Sequence, residues 1–345
     1  MTRSVGVQVV QIGKEATPGV GGVATRRLGS MNIDLKPEAD TSEFRPKGSK
    51  YVTVVAENKA WASGKADGQP TYEEVIYPLA SVFTKPVSTQ TMDGATPTGA
   101  YTHVFSPASS GADDPQTFVV EQGDATLAVR SALAVFTDFS LDVSRADVKM
   151  AGTLVGQRVD TTAVLAAGLV TPSNLTPILP GQVCVYTADI VADLGGITGT
   201  GVKLDNVVSL KPSVGKRFDP VWFLNCAINS FSGIVENQDP DAKVELLMEA
   251  NAEGIAWLGR LTAGTTKFLR IEATGPVIAA KATYPGLAAD VRAKFTWDFA
   301  VKCTAPGQFS DESGVYAINP SLVVVHDAAW GRATKVTVQN KVATL

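Results

Sequence analysis

The run DVRAKFTWDFAVK, residues 290–302, constrains the fold more than any other stretch. Val291, Ala293, Phe295, Trp297, Phe299 and Val301 fall on one side of an extended chain, and Arg292, Lys294, Thr296, Asp298 and Lys302 on the other. Successive side chains of a strand point to opposite faces, so this alternation predicts a long, half-buried antiparallel strand. FTDFSLDVS at 136–144 repeats the pattern, with Phe139, Leu141 and Val143 against Ser140, Asp142 and Ser144. ADVKMAGTLVG, SLVVVHD and ATKVTVQNKV are further strand candidates.

Two short helices interrupt the strands. In TYEEVIYPLASVF, Thr71 and Glu74 have the spacing of a capping box, and Tyr72, Val75, Ile76, Leu79 and Phe83 form an apolar stripe. Pro78 should kink or shorten this helix. In NAEGIAWLGRLTAG, Asn251 is placed to cap, Ile255, Leu258 and Leu261 to share a face, and Gly264 to stop the helix.

The helices also suggest a repeat. Leu35-Lys36-Pro37 recurs as Leu210-Lys211-Pro212, an offset of 175 (212 − 37). The same offset lays GVQVV at 6–10 over GQVCV at 181–185, and DVSRADVKMAGTLVG at 142–156 resembles DESGVYAINPSLVVV at 311–325. Each half runs strand, Gly-rich loop, strand, long connection, helix, then several strands. The expected organisation is a mostly β chain of tandem domains, 1–165 and 181–345, joined by a linker at 166–180. The first carries an insertion at 84–116, rich in Thr, Pro, Gly and Ser.

A core of this kind is affordable in a chain of 345 residues that is 45% apolar and 19% charged. The net charge of −4 leaves no basic excess for gripping a nucleic-acid backbone. The longest smooth apolar stretch, AVLAAGLV at 163–170, is too short to span a bilayer, and the N-terminus lacks the apolar run of a signal peptide. A soluble protein made in a cytoplasm is expected. Cys184, Cys226 and Cys303 lie apart in apolar segments and read as buried free thiols.

Chemistry is sparse. The stretch IGKEATPGVGGVATRRLGS at 12–30 has glycines and a lysine, but its glycines follow Lys14 and a strand follows the glycines. A phosphate loop needs the reverse order and a helix, so the stretch reads as a connection between strands. His103 sits in the insertion, and His326 is followed by Asp327, which points to the opposite face of a strand. No acid–base pair, metal cluster or nucleophile elbow emerges, and no catalytic residue, cofactor or metal is expected.

The segments GKEATPGVGGVATRRLGSMNIDLKP, FRPKGSKYVTV, TYEEVIYPLASVF, TKFLRIEATGPVI, FSDESGVYAINPSLVVVHDAAWG and VTVQNKV resemble the major tail, or tail tube, proteins of bacteriophages with long non-contractile tails, particularly those of actinobacterial hosts. The resemblance covers nearly the whole chain in pattern. It implies tandem tail-tube-type β-sandwich or half-barrel domains, each flanked by a short α-helix. It implies rings stacked into a tube around a tape-measure protein, with tail terminator and distal tail proteins as further partners and double-stranded DNA in transit. The location implied is the virion. Two tube-type domains in one chain favour a trimeric ring with pseudo-sixfold symmetry, the alternative being a hexamer. The connections expected to reach the next ring are Glu38–Lys59 and Ser213–Gly233, with Arg45, Lys47, Lys50, Lys216 and Arg217 as contact candidates. A non-enzymatic β-sandwich adhesion module is the alternative function, with Trp61 and Trp330 as its candidate exposed aromatics.

Overall fold

The computed structural model describes residues 8–162, 164–165, 168–170, 173–195, 199–224, 229–305, 307–312 and 314–345. Cys226 and part of the expected linker lie outside them. The fold is mostly β with two short helices. In the first half, β1 (Val9–Lys14) pairs with β2 (Arg26–Leu28) on one side and β7 (Phe118–Gly123) on the other. β7 pairs with the start of β8 (Ala128–Ser144). The rest of β8 pairs with β9 (Val148–Gln157), which pairs with β4 (Val54–Gly68), which pairs with β3 (Met31–Phe44).

The second half follows the same path. β11 (Val202–Leu204), β10 (Val183–Ala188), β16 (Lys267–Ala279) and β17 (Val291–Ala305) pair in that order. The end of β17 pairs with β20 (Ser321–Val324), which pairs with β15 (Asp241–Glu249), which pairs with β12 (Val207–Gly215). Where β8 and β9 run on unbroken, the second half has a separate hairpin of β18 (Phe309–Glu312) and β19 (Val315–Ile318). The halves join where β12 pairs antiparallel with the end of β8, Leu210 opposite Val143 and Val214 opposite Phe139. The ladder skips the middle of this seam, where Pro212 has no N–H to donate.

The insertion is not an appendage. Its strands β5 (Val87–Asp93) and β6 (Thr96–Phe105) form a hairpin, and β6 pairs with β21 (Thr334–Asn340), which pairs with β17. The first half therefore supplies two strands to the second half's sheet. Residues described in the linker are also tied down: Tyr72 N donates to Thr176 O, and Ile178 N to Pro70 O.

One hydrophobic core spans both halves. The helix α1 (Ile76–Val82) is buried along its whole length and packs on β8. Pro78 falls in the first turn, where an N–H is dispensable, and the helix is short. The helix begins later than expected: its N-cap is Val75, with no side-chain cap, and the Glu74 N–H donates to Thr71 Oγ1 at 3.2 Å in the turn that precedes it. The Glu74 carboxylate instead crosses to the β2–β3 turn and accepts from Gly29 N and Ser30 N. The helix α2 (Ala252–Ala263) is capped by Asn251, whose side chain accepts from Gly254 N, and stopped by Gly264 in the left-handed region. Gly254 and Trp257 are buried and Leu261 packs partly buried against the core. Of the expected stripe, Leu261 therefore faces the core, Ile255 is half exposed, and the Leu258 side chain lies outside those described. β17 exceeds its expectation: Thr296, Asp298 and Ala300 on its polar face are also buried. Ala300 packs under Ala188, Leu194 and Phe268, and Asp298 takes a bidentate guanidinium contact from Arg270 at 2.6 and 2.9 Å.

Candidate assembly surface

The β3–β4 hairpin begins in the core and ends far outside it. Met31, Ile33 and Leu35 alternate inward, but from Lys36 to Arg45 every residue is exposed. Up to the Ala39–Ala60 pair the hairpin still belongs to the sheet, with Ala60 and Ala62 buried, and beyond it both strands stand free of the sheet. At ~3.3 Å per residue, Asp40 to Phe44 carry the tip about 15 Å from the body. An isolated two-stranded hairpin is marginal in water, so an arm of this length needs cover. It also holds Phe44, Tyr51, Val54 and Val55 out in solvent, Tyr51 at 78% exposure. Its charges are segregated. Residues 45–53 contain Arg45, Lys47 and Lys50 and no acid, whereas the shank carries Glu38, Asp40, Glu43 and Glu57 against Lys36 and Lys59, a net negative charge. The three basic tip residues are exposed and make no ion pair among the described residues.

The second connection, Ser213–Gly233, behaves differently. Lys216 turns the chain with φ 53° and is exposed. The chain then forms a small hairpin of β13 (Phe218–Val221) and β14 (Gly233–Glu236) that lies along the root of the first arm. Trp222 packs edge-on against Trp61 and Phe231, Lys59 sits over the Trp222 ring, and Ala60 N donates to Asn229 O. Arg217, an expected inter-ring contact, is buried within its own chain. It binds Asp113 at 2.6 Å and Glu236 at 3.0 Å, and its Nε donates to Val82 O at the end of α1. Burial pushes the Asp113 carboxyl up, against the pull of the Ala108 amide and Arg217. A buried helix end needs partners for its last carbonyls, which is the local reason this arginine turns inward.

Several strands, β2, β5 and β11 among them, pair on one side only among the described residues, and two of these open edges lie one in each half. β3 pairs only with β4, and β18 only with β19. At β18, Phe309 and Tyr316 stack at 4.8 Å with an interplanar angle of 10°, yet are 49% and 60% exposed. Exposed strand edges and aromatic patches are liabilities that proteins ordinarily cover.

The glycine-rich loop does form a cluster of converging N–H groups, but its anion is internal. The buried Glu15 carboxylate accepts from Gly19 N at 3.1 Å, Gly21 N at 3.0 Å and Leu133 N at 3.1 Å. The spacing of Gly19 and Gly21 after Glu15 was the available sequence signal for this.

His103 is buried, with Nε2 facing Val342 O at 2.9 Å and Asn340 Oδ1 at 3.1 Å. Two acceptors there place the proton on Nε2, so Nδ1 accepts from Ser88 Oγ at 2.8 Å. Burial lowers the His103 pKa, partly offset by Asn340 and Val342. His326 is exposed beside an open recess of about 640 Å³, and the Asp327 carboxylate accepts from Trp330 N, not from His326. Cys184 and Cys303 are free thiols, half-buried and buried. No group of three His, Cys, Asp or Glu among the described residues could hold a metal ion. Trp61 and Trp330 are both engaged, Trp330 edge-on to Phe268 at 5.7 Å.

No helix among the described residues is long and apolar enough to cross a membrane. No protein-family model matches the chain, and no curated protein matches it.

Proposed function

We propose that this chain is a structural subunit of a phage tail tube. Copies close into rings, the rings stack into a hollow tube around a tape-measure protein, and genomic DNA later passes through. The tail terminator and distal tail proteins are the expected partners at its ends, and the virion its location. The observation that carries this reading is the β8–β12 seam. Two units of the same strand order are joined edge to edge within one chain, and an edge of each unit, β3 and β18, is left open. Such a unit is a segment of a wall, and a head-to-tail contact that closes makes a ring. The exposed β3–β4 arm, basic at its tip and acidic along its shank, supplies a contact for stacking. A net charge of −4 suits a channel through which DNA must pass without being held.

The ring we favour has three chains with pseudo-sixfold symmetry; six chains is the alternative. Electron microscopy of the purified protein, with mass measurement of its particles, tests both points. Hollow tubes and three chains per ring are expected. A persistent monomer at high concentration, even with tail tips added as seeds, would overturn the tube reading.

A further inference from the structure

The seam between the two halves is a template for the contact between copies. Aligning the halves through their strand pairs puts Phe139 in the place of Phe309 and Ser140 in that of Ser310, an offset of 170 (309 − 139). Leu35-Lys36-Pro37 of β3 takes the place of Leu210-Lys211-Pro212 of β12. Within the chain, β12 meets β8 with Ser213 opposite Ser140 and Val214 opposite Phe139. The same register sets Lys211 opposite Asp142, and both line one recess.

We infer that β18 of one copy pairs antiparallel with β3 of a second copy in this register, so that Ser310 faces Glu38, Phe309 faces Ala39 and Glu312 faces Lys36. This rests on the tube reading and specifies which edges meet. Three observations favour a second copy as the occupant. The charges are complementary where the template's are: Lys36 to Glu312 repeats Lys211 to Asp142, both pairs basic on one strand and acidic on the other. Phe139, beside the seam, packs on Trp297 and is 2% exposed, whereas its counterpart Phe309 at the open edge is 49% exposed. Both β12 and β3 also carry proline at the same place, so each offers a ladder with the same missing donor. That gap discourages other strands from adding at this edge. The Leu35 N–H is already taken by Gln122 Oε1 at 2.9 Å, so the new ladder begins beyond it.

The test uses the full chain with its three cysteines replaced, and a new pair at Glu38→Cys and Ser310→Cys. Under mild oxidation, assembled protein should give a ladder of covalently joined chains on a non-reducing gel. The matching pair Ser213→Cys and Ser140→Cys should close within one chain and give no ladder. Rings or tubes by microscopy, with the internal pair closed but no ladder from the outer pair, would sink the seam and leave the tube reading standing. Monomers throughout would sink both. Charge reversal gives an independent readout where the cysteine variants fold poorly. Lys36→Glu should lower the assembled fraction about tenfold, through like charges set opposite in a repeated seam, and Glu312→Lys in the same chain should restore it. Assembly unmoved by Lys36→Glu, or not restored by the second change, would overturn the register.

Discussion

Glu15 Oε1 accepts a hydrogen bond from the backbone N–H of Leu133 at 3.1 Å, across 118 residues of sequence. Leu133 is one of two non-glycine residues with positive φ among the described residues, at 47°, and it is buried in the bulge of β8 against β7. The carboxylate therefore secures both the glycine loop and the irregular point of β8. Replacing Glu15 by Ala leaves three N–H groups without their acceptor, one of them in the buried bulge. A loss of about 3 kcal/mol in urea unfolding is expected, with Glu15→Gln costing less. A loss below ~0.5 kcal/mol would remove this role, being the size of an ordinary surface change.

The counterparts Phe139 and Phe309 should separate in stability measurements on unassembled chain. Phe139→Ala opens a cavity beside Trp297 and should cost about 3–5 kcal/mol. Phe309→Ala removes a ring already half in water and should shift unfolding by less than ~1 kcal/mol. Equal losses would mean that the end of β18 is buried by the chain itself.

Arg217 holds Asp113, Glu236 and the last turn of α1 together. Arg217→Met should cost about 3–5 kcal/mol in denaturant melts because two carboxylates lose their buried partner. Adding Asp113→Asn and Glu236→Gln should recover part of that loss. A triple variant no better than the single one would show that the carboxylates are not the source of the cost.

His103 should make stability fall in mild acid. Its pKa is lowered in the folded chain, so below the ordinary histidine value of ~6.5 the unfolded chain binds the extra proton first. Folding stability contributed by the neutral ring is complete above that pH. It is lost as pH falls toward the folded value, by up to about 1.4 kcal/mol per pH unit. Thermal melts between pH 7 and 4.5, compared with His103→Gln, should show a slope that the variant lacks.

Exchanging residues 45–53 for a two-residue Asn-Gly turn should leave the melting temperature of the monomer unchanged, since the tip touches little of the body. Tubes should be lost while single rings persist, which sedimentation and microscopy would distinguish. Tubes of normal length would remove the arm from stacking.

Features set by neighbouring residues were legible in the chain itself. The alternation of β8 and β17, the Asn251 cap and the Gly264 stop depend on side-chain direction and on groups within a few residues, and all are present. The Leu-Lys-Pro match, slight as three letters, marks strands of equivalent place in the two halves. Long-range pairing was not legible. Alternation does not say which edge receives β5 and β6, and nothing near Arg217 in sequence announces Asp113 or Glu236. The sequence by itself determined the alternating strands and the two ends of α2, because those follow from local sterics and hydrogen bonding. Tertiary structure alone decided that Arg217 turns inward, that Trp257 and not Ile255 faces the core, and which edges remain open. Those outcomes depend on burial and on partners more than a hundred residues away.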